Sequence, residues 1–222
     1  MLRPRGRAAV YTESRGVWSA SRVGASHLEK EPDGKGMRMG RAEDVQLMEE
    51  YVQNVGLRRH MYAVEAAMRA YARRWNEDEE TWGAVGLLHD FDYERWPNPP
   101  DHPLQGSHIL RSKGYSEEVI YAILSHADYL AEYPRQSRLD KTLYACDELC
   151  GFLMACALVR PTGLDGLDPK GVKKRLKQAS FAAAVNRDDI ARGVADLGVD
   201  LDDHIAFCIA AMKGIEESLG LT

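Results

Sequence analysis

The stretch GLLHDFDYERWP, residues 86–97, carries an apolar run into a histidine–aspartate pair and then into further acidic residues. Val85, Gly86, Leu87 and Leu88 lead into His89-Asp90, and Asp92 and Glu94 follow. Successive residues on an α-helix point about 100° apart. His89 and Asp90 therefore cannot both follow one helical face. Where a helix runs out, both can turn toward one point. A carboxylate then offers two oxygens and an imidazole one nitrogen, which suits the middle of a metal cluster.

Outward from this pair the chain reads as helix after helix. Apolar residues at three- and four-residue spacing predict helices over 42–54 and 57–75. A third, over 78–91, opens on the acidic turn NEDEE, which suits a helix N-terminus. WPNPPDHP, residues 96–103, holds four prolines in eight positions and must be a loop. Further helices are expected at about 103–113, 116–127, 139–160, 169–178, 187–196 and 201–218. No segment alternates with period two over a useful length, and no repeat of 20–50 residues is visible. The expected class is all-α.

Residues 1–36 differ from the rest, with seven basic residues, four acidic ones, five glycines and no apolar period. They are expected to be a disordered leader or the product of an upstream start, with Met37 or Met39 as the alternative beginning. A transit peptide is the other reading of their Arg- and Ser-rich character. The organisation expected is this leader followed by one helical domain over 37–222, its core at 41–160 and a helical extension at 161–222. A formal net charge of −5 argues against broad nucleic-acid binding. No apolar run approaches the length of a membrane span. Cys146, Cys150, Cys156 and Cys208 form no CxxC pair and read as reduced, buried thiols of a cytoplasmic protein.

Potential ligands recur on apolar faces. His60 has Leu57, Ala63, Val64 and Ala67 at helical offsets; His89 follows Trp82, Val85 and Gly86; His126 follows Val119, Ala122 and Ile123. Asp147 sits among Leu143, Tyr144, Cys150, Gly151 and Met154. Taken alone, any one histidine reads as a satisfied core residue rather than a ligand. An ionised carboxylate in an apolar setting costs several kcal/mol unless it is compensated. Convergence of all four on a metal compensates them together, and helical bundles build metal sites in this way. His27, His108 and His204 are set aside, His204 as a surface residue.

The ordered set His60, His89-Asp90, His102, His126 and Asp147 resembles the HD superfamily of metal-dependent phosphohydrolases, over roughly residues 40–160. HPLQGSHIL, residues 102–110, is similar to the H-P-x-x-G-x-x-I-L segment of members with two metals. The chain departs from the H-D-I-G-K continuation, having Phe91-Asp92-Tyr93, and it lacks the G-Y-P signature of the cyclic-dinucleotide branch.

The resemblance implies one metal held by His60, His89 and Asp147, a second by His102 and His126, and Asp90 as the bridging, catalytic carboxylate. His102, placed before Pro103, is otherwise a plain loop histidine. One or two divalent ions per chain are implied. Imidazole and carboxylate donors without thiolate suit Mn, Fe, Co, Ni or Zn, with iron or manganese favoured. The implied reaction is hydrolysis of a small phosphoester or nucleotide by a metal-activated hydroxide. Arg59, Arg138 and Lys141 are the expected phosphate-binding residues, and the basic run at 170–177 is a solvated face. A small phosphorylated molecule is the expected partner, with no nucleic-acid duplex and no membrane. Two further readings stand: a di-iron oxygenase of the same superfamily, and a non-catalytic nucleotide-binding regulator.

Overall fold

The computed structural model describes residues 40–221, which form ten helices and no strand. The expected leader at 1–36 and His27 lie outside the described residues. The all-α expectation holds, and the helix positions agree closely with those predicted. The expected helix at 201–218 is instead two helices, interrupted at Gly214-Ile215.

Helices α1 (Arg41–Tyr51), α2 (Val55–Trp75) and α3 (Glu79–Leu88) pack in succession. α2 starts where the Asn54 side chain accepts a hydrogen bond from the Leu57 amide, and it ends at Asn76 in the left-handed conformation. The Asp78 side chain caps α3 by accepting from the Thr81 amide. The two helices approach closely at Gly86, where a Cβ would lie 2.9 Å from the Glu65 Cα. That close crossing carries the end of α3 to the middle of α2.

α4 (Asp101–Lys113) and α5 (Glu117–Ser125) follow the proline loop, and His102 and Pro103 stand outside helical geometry at the start of α4. The long α6 (Arg138–Leu158) opens with a capping box between Ser137 and Asp140. It packs against α2 on one side and α8 (Arg187–Leu197) on another. α7 (Pro169–Leu176), α9 (Leu201–Lys213) and the short α10 (Glu216–Leu219) complete the structure, with α9 and α10 against α2. The core runs through Met61, Met68, Tyr71, Leu87, Leu88, Phe91, Phe152 and Leu153.

His204 is a correction. It was expected at the surface, but it is buried under α2 and α6. Its Nε2–H donates to the Ala145 carbonyl at 2.9 Å, which leaves Nδ1 to accept from the Tyr71 hydroxyl at 2.6 Å. Leu201, Cys208 and Phe207 at helical offsets carried that signal in the sequence. Cys146, Cys150, Cys156 and Cys208 are free and buried. No helix among the described residues is long and apolar enough to cross a membrane.

Candidate metal centre

Five helices bring the site together. α2 presents His60, the turn after α3 presents His89 and Asp90, the start of α4 presents His102, the end of α5 presents His126, and α6 presents Asp147. The close crossing of α2 and α3 puts His60 Nε2 3.2 Å from His89 Nε2. Asp147 Oδ1 lies 3.1 Å from His60 Nε2 and 3.5 Å from His89 Nε2. On the other side, His102 Nε2 and His126 Nε2 are 3.3 Å apart.

Asp90 lies between the two sets. Its Oδ2 is 3.6 Å from His89 Nε2 and 3.9 Å from His60 Nε2. Its Oδ1 is 3.3 Å from His102 Nε2 and 3.6 Å from His126 Nε2. One carboxylate therefore addresses both groups, one oxygen to each. The last helical hydrogen bonds of α3 end at this point, and the chain turns. That turn lets two adjacent side chains aim the same way.

The outer faces of the rings fix their tautomers. His89 Nδ1 is 2.8 Å from the Gly86 carbonyl, and His126 Nδ1 is 2.5 Å from the Ile123 carbonyl. A carbonyl only accepts, so both Nδ1 atoms carry the proton. His102 Nδ1 lies 2.7 Å from Asp92 Oδ1, while Asp92 Oδ2 accepts the Gly106 amide at 2.7 Å. A Cβ on residue 106 would meet the Asp92 carboxyl at 2.9 Å, so glycine is what lets that amide approach. The Tyr129 hydroxyl donates to the His102 carbonyl at 2.5 Å.

Neutral rings held in this way turn bare Nε2 lone pairs toward each other and toward carboxylate oxygens. Acceptors 3.1–3.9 Å apart repel unless a cation stands between them. The spacing matches neighbouring ligands around an ion with bonds of about 2.0–2.2 Å. Outward-facing Nδ1–H groups bonded to carbonyls or carboxylates are the usual support of metal-binding histidines. The donor set thus fits two divalent ions, one among His60, His89 and Asp147 and one among Asp90, His102 and His126.

Without a cation the cluster gathers protons. Burial disfavours charge on His89, but the Asp90 and Asp147 carboxylates outweigh it and push its pKa up to about 9. Burial likewise opposes charge on His102, and hydrogen bonds to Asp90 and Asp92 carry it to about 9. Burial alone raises Asp90 and Asp147. The His89 imidazole and the neighbouring rings reverse this and hold both carboxyls below their usual range.

The cluster forms one wall of a cavity of about 520 Å³. The expected phosphate-binding residues are not in it. Arg138 reaches Glu77 and lies over the Trp75 ring. The Arg59 guanidinium lies against Gly220, at the far end of the chain. Lys141 is absent from the cavity lining as well. The reason is angular: six residues before Asp147 on a helix is about 240° away, and nine residues, for Arg138, is about 180°. Residues the sequence reading did not single out line the cavity instead, among them Tyr93, Asp128, Tyr129, Tyr144, Glu148 and Asp189. Asp92 was noticed only as a neighbour of the pair, yet it supports His102 from behind. An acidic residue three positions after His89 was the available signal.

Among known protein families, residues 57–151 match the model of the HD domain. No solved structure matches the chain.

Proposed function

We propose, from the premise that residues 57–151 are an HD domain, that this protein is a metal-dependent phosphohydrolase with a two-metal centre and a small phosphorylated substrate. The observation that carries the reading is Asp90, whose two oxygens each face a separate pair of histidine Nε2 atoms. Divalent ions bound there would lower the pKa of a water and neutralise charge on the phosphoryl oxygens.

The chain's own contribution is to fix that charge and direct it. His60, His89 and Asp147 would hold one ion, His102 and His126 the other, and Asp90 both. The Gly86 and Ile123 carbonyls and Asp92 keep the Nε2 lone pairs turned inward. Tyr129, donating to the His102 carbonyl, ties the start of α4 to the segment after α5. Pro97 and Pro99 of the proline loop line the cavity, as does Tyr93.

The test is phosphate release from a panel of phosphomonoesters, nucleotides and phosphodiesters, using protein loaded in turn with Mn, Fe, Co, Ni and Zn. Release that depends on metal and disappears in Asp90→Asn supports the reading. Protein that holds its metals and releases phosphate from none of the panel contradicts it. One observation favours a second reading, the di-iron oxygenase: among the described residues no lysine or arginine lines the cavity to meet a phosphate. Dioxygen uptake by the iron-loaded protein separates the two.

A further inference from the structure

We infer that the cavity wall facing the candidate metals selects substrates whose far end donates hydrogen bonds or carries positive charge, and rejects a second anionic group. This names a substrate class within the hydrolase reading and rests on it.

Three observations converge. First, the cavity lining holds Asp128, Glu148 and Asp189 beyond the candidate ligands, and no lysine or arginine among the described residues. Second, the nearby cations are already committed. Arg135 Nη1 donates to Asp128 Oδ1 at 2.6 Å, and its guanidinium lies 3.6 Å over the Tyr144 ring. Arg192 pairs with Asp128 Oδ2 at 2.8 Å and also with Asp189. Neither arginine lines the cavity.

Third, the wall has acceptors to spare. The single Tyr144 hydroxyl proton stands between Asp128 Oδ2 and Asp189 Oδ1, each 2.9 Å away, and Arg192 reaches these same two oxygens, while Asp189 Oδ2 accepts no hydrogen bond from the described residues. Glu148 Oε2 accepts the Asn186 amide at 3.2 Å, and its Oε1 has no partner among the described residues. A ligand that turns a hydroxyl or ammonium toward this wall gains acceptors. One that turns a carboxylate or a second phosphate toward it meets like charge in a partly enclosed space. With the metals drawing in one phosphoryl group, the cavity becomes positive at one end and negative at the other. Its volume suits a small monoester of dipolar or polyhydroxy character.

The experiment uses the full chain loaded with Mn²⁺ and a matched series of alkyl monophosphates. Chains of two, three and four carbons end in ammonium, hydroxyl, methyl or carboxylate. Binding is read by calorimetry, and phosphate release is read separately. At the best length, the ammonium and hydroxyl ends should exceed methyl, and the carboxylate end should fall at least about tenfold below ammonium in affinity. Glu148→Gln and Asp189→Asn should each narrow the ammonium-to-carboxylate ratio within the same variant. Carboxylate ends that bind as well as ammonium ends at every length overturn the inference, whatever is hydrolysed. If the binding order holds but no phosphate is released, the selectivity stands and the hydrolase reading falls.

Discussion

Asp92 and His102 are joined through a contact of 2.7 Å between Oδ1 and Nδ1, in a spot where Asp92 is fully buried and its other oxygen takes the Gly106 amide. The carboxylate therefore has two N–H donors to satisfy, and it decides which nitrogen of His102 faces the cavity. Asp92→Asn offers one oxygen for two donors. Turning the amide NH₂ toward His102 would force the opposite tautomer and put a proton on Nε2. We expect metal affinity at the His102–His126 set to fall about 10–100-fold. Binding at the His60–His89–Asp147 set should persist. Metal titration of the variant checks this, and two unchanged binding steps would show that Asp92 does not set the ring.

Tyr71 and His204 give the matching control away from the cavity. Tyr71→Phe leaves the buried His204 Nδ1 with only the weak Cys208 thiol, 3.8 Å away, as a donor. An unsatisfied buried acceptor costs about 1–3 kcal/mol, and a weak thiol donor leaves the cost toward the lower end of that range. The variant should lose that much stability in urea and bind metal as the wild type does. Loss of metal with no loss of stability would be the wrong pattern.

Asp44 predicts a pH dependence. It is 2 % exposed, and its Oδ1 accepts from the Tyr115 hydroxyl at 2.5 Å. Burial, aided by the nearby Glu65 charge and opposed by Tyr115 donation, lifts its pKa from 3.8 to about 6. A carboxyl whose pKa is higher in the folded state binds more protons folded than unfolded. Its contribution to stability is therefore present below about pH 4 and is lost as pH rises through about 6. Two units correspond to about 3 kcal/mol at most. Asp44→Asn keeps an acceptor for Tyr115 and removes the charge. It should be more stable than wild type by about 1–2 kcal/mol at pH 8, with the difference gone near pH 4. Denaturation of both proteins at the two pH values measures it, and a difference independent of pH would contradict the account.

Gly86 predicts how closely the site depends on helix packing. A methyl at this position meets the Glu65 backbone at 2.9 Å, so Gly86→Ala must push α2 and α3 apart. Overpacking of this kind costs about 1–3 kcal/mol. Because His60 and His89 sit on the two elements, the variant should also weaken metal binding at their set. Stability lost with metal affinity intact would mean that the crossing does not position the site.

The helical class was legible because the apolar spacing of α2, α5 and α6 repeats over several turns, and because Asn54, Asp78 and Ser116 stand at the helix starts they cap. The six candidate ligands were legible as an ordered set of residue types, and the structure brings them within one cluster. What surrounds them was not legible. Asp189 reaches the cavity, where it faces Asp128 of the turn after α5, only because α8 packs on α6, a relation that no local spacing encodes. The expected phosphate-binding residues were chosen by nearness along the chain, and helical rotation turns Arg138 and Lys141 away from Asp147. Arg59 is turned from its neighbour His60 for the same reason.

The central claim is that Asp90 lies between two metal ions. The direct measurement is metal content per chain after loading and desalting, for wild type, His102→Ala/His126→Ala and Asp90→Asn, with the melting temperature of each before and after chelation. Wild type should hold about two ions and the double variant about one, while Asp90→Asn should lose affinity in both binding steps. Metal that binds only the folded state at a hundredfold excess over Kd stabilises it by about 2.7 kcal/mol, so chelation should lower the wild-type melting temperature. Wild-type protein that retains no metal and melts unchanged with chelator would contradict the account.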